Sequence, residues 1–123
     1  MRKHILIADD SPTIRKALRQ TLEREDVWEV CGEAADGQEA IEKAQRLEPD
    51  VVVLDLSMPG MNGLEAAREL KRMSPSLPLV MFTDFNLPQL TNEAFSVGVS
   101  AVVSKSESAG LVDEIQKLLP PGS

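Results

Sequence analysis

Val51-Val52-Val53-Leu54-Asp55 is an unbroken apolar run, three of its four members β-branched, closed by an acid. A strand wetted on one face alternates apolar and polar side chains. A strand covered on both faces reads as a continuous hydrophobic run. Residues 51–54 therefore predict a central parallel strand that stops at Asp55. The next residues, Met58-Pro59-Gly60-Met61-Asn62-Gly63, are turn chemistry. Asn62 can cap a helix carrying Leu64, Ala67, Leu70 and Met73 at helical spacing. Strand, turn and amphipathic helix make one half of a parallel crossover unit.

The same unit recurs on both sides. Upstream, His4 to Ala8 is a short apolar run ended by Asp9-Asp10. Ser11-Pro12 then reads as an N-cap with proline at the first helical position, ahead of Ile14, Ala17, Leu18, Thr21 and Leu22. Trp28 to Ala34 is less apolar. Trp28, Val30, Gly32 and Ala34 alternate with Glu29, Cys31 and Glu33, which predicts an edge strand with one wet face. Asp36-Gly37 opens a helix with Ala40, Ile41, Ala44 and Leu47 on one side and Glu39 in capping-box position. Pro49-Asp50 stops it. Downstream, Ser74-Pro75 ends the third helix, and Leu79 to Phe82 is a strand ending at Thr83. A weaker helix runs from Asn86 or Leu87 to Val97, with Gly98 as its stop. Ala101 to Ser104 is a strand ending at Lys105, and a last helix spans Ser108 to Leu119, stopped by Pro120-Pro121. The expectation is an α/β protein: (βα)5, a doubly wound five-stranded parallel sheet with helices on both faces. Residues 1–119 are expected to form one domain and 120–123 a C-terminal tail, with no second domain.

Composition narrows the function. In 123 residues there are 13 Lys and Arg against 20 Asp and Glu, a net charge of −7. That sign argues against a broad nucleic-acid or anionic-membrane surface. Trp28, Phe82, Phe85 and Phe95 are too few aromatics for a base-stacking platform. Cys31 is the only cysteine and His4 the only histidine. An internal disulfide and a cysteine-rich zinc site are therefore excluded. The apolar run after the first residues is too short for a signal peptide, and no stretch reaches the length of a membrane span. The expected location is the cytoplasm.

Chemistry collects where strands end. Asp9-Asp10, Asp55, Thr83 and Lys105 each follow a strand, and in an open parallel sheet those ends share one edge, where ligands bind. Three carboxylates sum to −3 and Lys105 supplies +1; a divalent ion closes the balance. Hard oxygen ligands without thiol or imidazole select Mg²⁺ or Mn²⁺. A neutralised carboxylate beside such an ion can attack phosphorus while metal and lysine stabilise the transferring oxygens. Acyl transfer is disfavoured, because no histidine base serves Ser57. Several features have plainer readings: Cys31 as an inert strand residue, Trp28 as packing, and Arg68, Lys71 and Arg72 as a solvated helix face. Leu111, Ile115 and Leu118 read as core spacing.

With these residues in place, the chain resembles a response-regulator receiver domain over essentially its whole length. The resemblance is carried by Ile5-Leu6-Ile7-Ala8-Asp9-Asp10-Ser11, by Val53 to Gly63, by Thr83 and by Lys105. Val30 to Gly37, and Ser106 after Lys105, look like the branch usually linked to a LuxR-type helix-turn-helix domain. The resemblance implies a flavodoxin-like sheet order 2-1-3-4-5, with Asp55 as phospho-acceptor. Asp10, Asp55 and the Ser57 carbonyl would bind Mg²⁺ or Mn²⁺ directly and Asp9 mostly through water. Lys105 and Thr83 would contact the phosphoryl group. It further implies a histidine kinase or phosphotransfer protein as donor, and output to a downstream protein through helix 4, strand 5 and helix 5. A phosphorylation-dependent dimer fits that face. No direct nucleic-acid or membrane contact and no enzymatic activity beyond self-phosphorylation and autodephosphorylation are expected. Val102 stands where relatives often carry Tyr or Phe, and Asp84 where a small residue is usual. Phe85 and Ser57 depart at positions tied to autodephosphorylation. Two further readings belong to other classes: a degenerate receiver acting as a phosphorylation-independent adaptor, and an aspartyl-phosphate-type phosphatase. The latter lacks its second acid, since Ser57 stands two residues after Asp55. A flavodoxin-like cofactor binder is opposed by the acidic first loop.

Overall fold

A computed structural model describes residues 2–84 and 88–120. The order is β1 (Lys3–Ala8), α1 (Pro12–Leu22), β2 (Trp28–Ala34), α2 (Gly37–Leu47), β3 (Val51–Leu54), α3 (Gly63–Met73), β4 (Leu79–Thr83), α4 (Pro88–Ser96), β5 (Ala101–Ser104) and α5 (Ser108–Leu118). All pairings are parallel and the sheet order is β2-β1-β3-β4-β5. The doubly wound (βα)5 expectation and its 2-1-3-4-5 order are what the chain adopts. Phe85, the expected helix start at Asn86 or Leu87, and residues 121–123 of the tail lie outside the described residues.

Each face of the sheet has its own core. Ile5, Ile7, Val51, Val53, Val80, Phe82 and Val103 pack on α1 and α5 through Leu18, Leu22, Leu111 and Ile115. Leu6, Val52, Leu54, Leu79 and Met81 pack on α2, α3 and α4 through Ile41, Ala66, Ala67, Leu70 and Ala94. β3 is buried at all four positions, which is why its sequence shows no alternation. Trp28 is buried in the first of these cores, as its packing role required.

Local signals placed the helix ends well. Ser11 Oγ accepts from the Ile14 N–H, with Pro12 opening α1. Asn62 and Glu65 complete a reciprocal capping box on α3. At α2 the box is displaced: Asp36 accepts from Glu39 N–H, but the Glu39 carboxylate takes the Ala35 N–H. Gly98 has φ +104. Its N–H reaches the Phe95 carbonyl and the Val99 N–H reaches Ala94, the paired bonds of a Schellman stop on α4.

β2 corrects the simple alternation expected of it. Ile5 pairs with Val30 but Leu6 with Gly32, so Cys31 is an extra residue in a bulge. The bulge reverses the pattern halfway. Trp28 and Val30 face the α1/α5 core, whereas Cys31 and Ala34 face the other. A bulge shifts every later side chain to the opposite face. Cys31 is half-buried and free, and burial pushes its thiol up, in keeping with an inert thiol.

Side chains from α1 close the β2 edge. The Val30 N–H donates to Glu23, and its carbonyl accepts from Arg19. Glu33 is forked by two arginines, Arg15 Nε to Oε1 at 3.0 Å and Arg19 Nη2 to Oε2 at 2.9 Å. Burial alone would raise the Glu33 carboxyl. The hydrogen bonds from Arg19 and Arg15 outweigh it and hold the group below its ordinary value. A lowered carboxyl stabilises the fold above its unfolded pKa, and that contribution is lost as pH falls through the folded value. Glu33→Gln is therefore expected to lower the urea midpoint at pH 7. The deficit relative to wild type should shrink only as pH falls beneath the ordinary carboxylate range and through the lowered Glu33 value, as read from urea melts across pH; a deficit that persists undiminished in strong acid would refute the assignment.

Candidate functional site

The first residue past β1, β3 and β5 is still held by the ladder. The Asp9 N–H donates to the Ala34 carbonyl at 3.0 Å, Asp55 N–H to Ala8 at 2.9 Å, and Lys105 N–H to Thr83 at 3.1 Å. Their side chains are thus fixed by backbone geometry on one edge of the sheet. Asp9 and Asp55 are 1% and 4% exposed, and Thr83 is buried at the end of β4 between them and Lys105. Asp10 is exposed. His4 lies at the other end of β1, its N–H donating to Asp50.

Asp9, Asp10 and Asp55 each offer a carboxylate oxygen, and these atoms lie within 4.8 Å of one another. Lys105 Nζ sits 2.9 Å from Asp9 Oδ2 and 3.1 Å from Asp55 Oδ2. The contact with Asp55 is a hydrogen bond. Asp9 Oδ2 meets the ammonium as a charge without a hydrogen bond of its own. Burial and the neighbouring Asp9 charge push the Asp55 carboxyl up; Lys105 and the Ser57 N–H oppose them only in part. Lys105 shows the converse. Burial works against its ammonium, and Asp9 and Asp55 outweigh that and raise its pKa. With all three acids ionised, Lys105 leaves the cluster a net charge of −2. One more positive ion of charge two neutralises it, and an all-oxygen donor set with an under-satisfied buried carboxylate oxygen suits a hard divalent cation.

The remaining expected residues are placed as follows. Ser57 is exposed in the β3–α3 loop with its N–H toward Asp55. Asp84 is exposed immediately after Thr83. Val102 is half-buried against the α2/α3/α4 core. Lys71 departs from a plain solvated face: its ammonium bonds the Leu77 carbonyl, and its stem lies against Gly98. A groove of about 690 Å³ is at the other edge between the ends of α2 and α3, lined by Glu48, Asp50, Met73 and Leu77 among others. It lies away from the acid cluster.

The Response regulator receiver domain family matches residues 5–116. This chain belongs to that family. The receiver is 31% identical over 119 residues to the chemotaxis protein CheY of Thermotoga maritima, covering 96% of this chain and 98% of that one. It is 35% identical over 123 residues to a protein-glutamate methylesterase/protein-glutamine glutaminase of Alkalilimnicola ehrlichii. That match covers 97% of the receiver and only 31% of the relative's length. The crystal structure of a LuxR-family two-component response regulator from Aurantimonas sp. SI85-9A1 superposes with a TM-score of 0.93 at 34% identity, covering 97% of the receiver and 86% of that chain.

One feature of the receiver site was read from sequence only as a turn. Gly63 opens α3, and a Cβ there would lie 2.2 Å from the Asp55 carbonyl oxygen and 2.8 Å from Leu56 Cα. The Gly63 N–H also donates to the Leu56 carbonyl at 2.8 Å. The helix therefore starts directly on the backbone of Asp55. A Cβ can be accommodated only if that backbone moves, at a cost of about 1–3 kcal/mol by analogy with overpacked cores. Gly63→Ala is expected to lower stability by that amount and to shift the Asp55 and Leu56 amide resonances. Wild-type stability with unmoved resonances would contradict the contact.

Proposed function

We propose that this receiver takes a phosphoryl group on Asp55, with Mg²⁺ or Mn²⁺ as cofactor. The supporting observation is the acid triad, gathered within 4.8 Å with Lys105 bridging Asp9 and Asp55. Asp10, Asp55 and the Ser57 carbonyl are the direct cation ligands in this reading, and Asp9 acts through water. A bound divalent cation supplies charge neutralisation for the acids and for the transferring oxygens. Asp55 supplies the nucleophilic oxygen: its O–P bond forms as the P–N bond to a donor histidine breaks. Lys105 holds a phosphoryl oxygen and Asp55 together. The Thr83 hydroxyl bonds the phosphoryl group and reports its arrival.

The donor is a histidine kinase or a phosphotransfer protein, and small acyl phosphates substitute for it. The chain catalyses nothing beyond its own phosphorylation and dephosphorylation. Phosphorylation shifts a two-state equilibrium on the face of α4, β5 and α5, where a downstream protein or a second copy of the chain discriminates the states. Residues 1–119 are the receiver unit. Among the described residues no helix is long and apolar enough to cross a membrane, and a cytoplasmic setting fits the donor chemistry.

Acetyl phosphate with Mg²⁺ is expected to add the mass of one phosphoryl group to wild type and nothing to Asp55→Ala. Omission of the cation should abolish labelling. Equal labelling of both proteins, or none of wild type with any donor, would overturn the reading. Asp84 adds a negative charge beside Thr83. Asp84→Ala is expected to speed labelling by acetyl phosphate a few-fold, most at low ionic strength; equal rates for the two proteins would remove Asp84 from the entry path.

A further inference from the structure

Arg15 makes a contact that pinning α1 to β2 does not need. Arg19 already joins those elements through Glu33 and the Val30 carbonyl. Arg15 also pairs with Glu33, and its second donor goes elsewhere: Nη1 donates to the backbone carbonyl of Asp9 at 2.6 Å. Its side chain is only 17% exposed. A guanidinium is a planar fork, so an Nε bond to Glu33 and an Nη1 bond to Asp9 together fix its orientation.

The Asp9 main chain is thereby held on both sides. Its N–H is tied to the Ala34 carbonyl at the end of β2. Its carbonyl is tied to Arg15. Its Oδ1 accepts from the Ser11 N–H at 2.9 Å. Lys43 donates to the Glu33 carbonyl, anchoring the strand end that carries the arginine's partner. Asp10 hangs from the peptide whose oxygen Arg15 holds, and like charges on Asp9, Asp10 and Asp55 would drive that loop outward in the absence of a cation.

We propose that Arg15 is a positioning residue for the cation pocket: locked by Glu33, it clamps the Asp9 carbonyl and so presents the Asp9 and Asp10 carboxylates toward Asp55. The assignment rests on the reading of the acid triad as a divalent-cation site. Arg15 itself touches neither the cation nor the phosphoryl group. Groups that orient metal ligands typically change affinity about 10–100-fold when removed.

Charge and position act with opposite signs here. Loss of a cation near the triad relieves repulsion and tightens metal binding. Loss of a clamp weakens it. Calorimetric titration of the full chain with Mn²⁺ alone reads the sign. Arg15→Ala is expected to raise the Mn²⁺ dissociation constant about tenfold. Arg15→Lys keeps the charge and reaches only one of the two acceptors, so it should fall between Arg15→Ala and wild type. Melting of the metal-free proteins separates stability from affinity, because a purely structural role lowers the melting temperature and leaves the constant of the folded protein unchanged. Unchanged or tighter binding in Arg15→Ala overturns the proposal. Should Arg15→Ala fail to fold, binding by Arg15→Lys equal to wild type overturns it, and weaker binding supports it. Asp10→Asn tests the parent reading: abolished Mn²⁺ binding upholds the site, and wild-type binding removes it and the role of Arg15 with it.

Discussion

Three carboxylates gathered on one sheet edge repel one another, and the fold holds them there. The force comes from the parallel ladder. Asp9, Asp55 and Lys105 are each the residue after a strand, and each is still hydrogen-bonded to its neighbour strand. The two cores beneath them, on either face of the sheet, supply the burial that makes this arrangement stable. Lys105 offsets part of the repulsion and no more. What remains is an unbalanced negative field at a place that a helix stem and two strand ends keep rigid. Such a field attracts a hard divalent cation.

Much of this was legible from residue order alone. The apolar run 51–54 has one reading as a strand buried on both faces, and the acid that closes it has one edge on which to sit. Asp9, Asp10, Thr83 and Lys105 follow by the same logic, because strand ends in a parallel sheet converge whatever their separation in sequence. Ser11, Asn62 and Gly98 announced helix ends through local hydrogen bonding, which depends on neighbours a few residues away. The fold and the membership of the acid cluster were therefore accessible without any long-range information.

What the sequence concealed was set by registry and by contacts between distant elements. The bulge at Cys31 leaves no mark in a seven-residue strand whose polar and apolar residues alternate anyway. It is visible only when Leu6 is found opposite Gly32. Nothing in the sequence around Arg15 and Glu33 sets them apart from other charges of a helix and an edge strand. Their link to the Asp9 carbonyl exists because α1 crosses that strand end. Glu39, expected to bond its own N-cap, bonds Ala35 instead, a one-residue displacement that spacing rules do not resolve.

The β3–α3 loop is wedged between two glycines. A Cβ on Gly37 would strike the Met61 carbonyl, and one on Gly63 would strike that of Asp55; Met58 anchors the loop's apolar side in the core. Mechanically, the Asp55 main chain is the seat on which α3 rests, and the loop is the shim between that seat and α2. The Asp55 main chain and the start of α3 are thus in direct contact. A tilt of α3 toward β3 is a displacement of Asp55, and a change at Asp55 is felt at the root of the helix. Asp55 is a bearing surface as well as a member of the acid cluster.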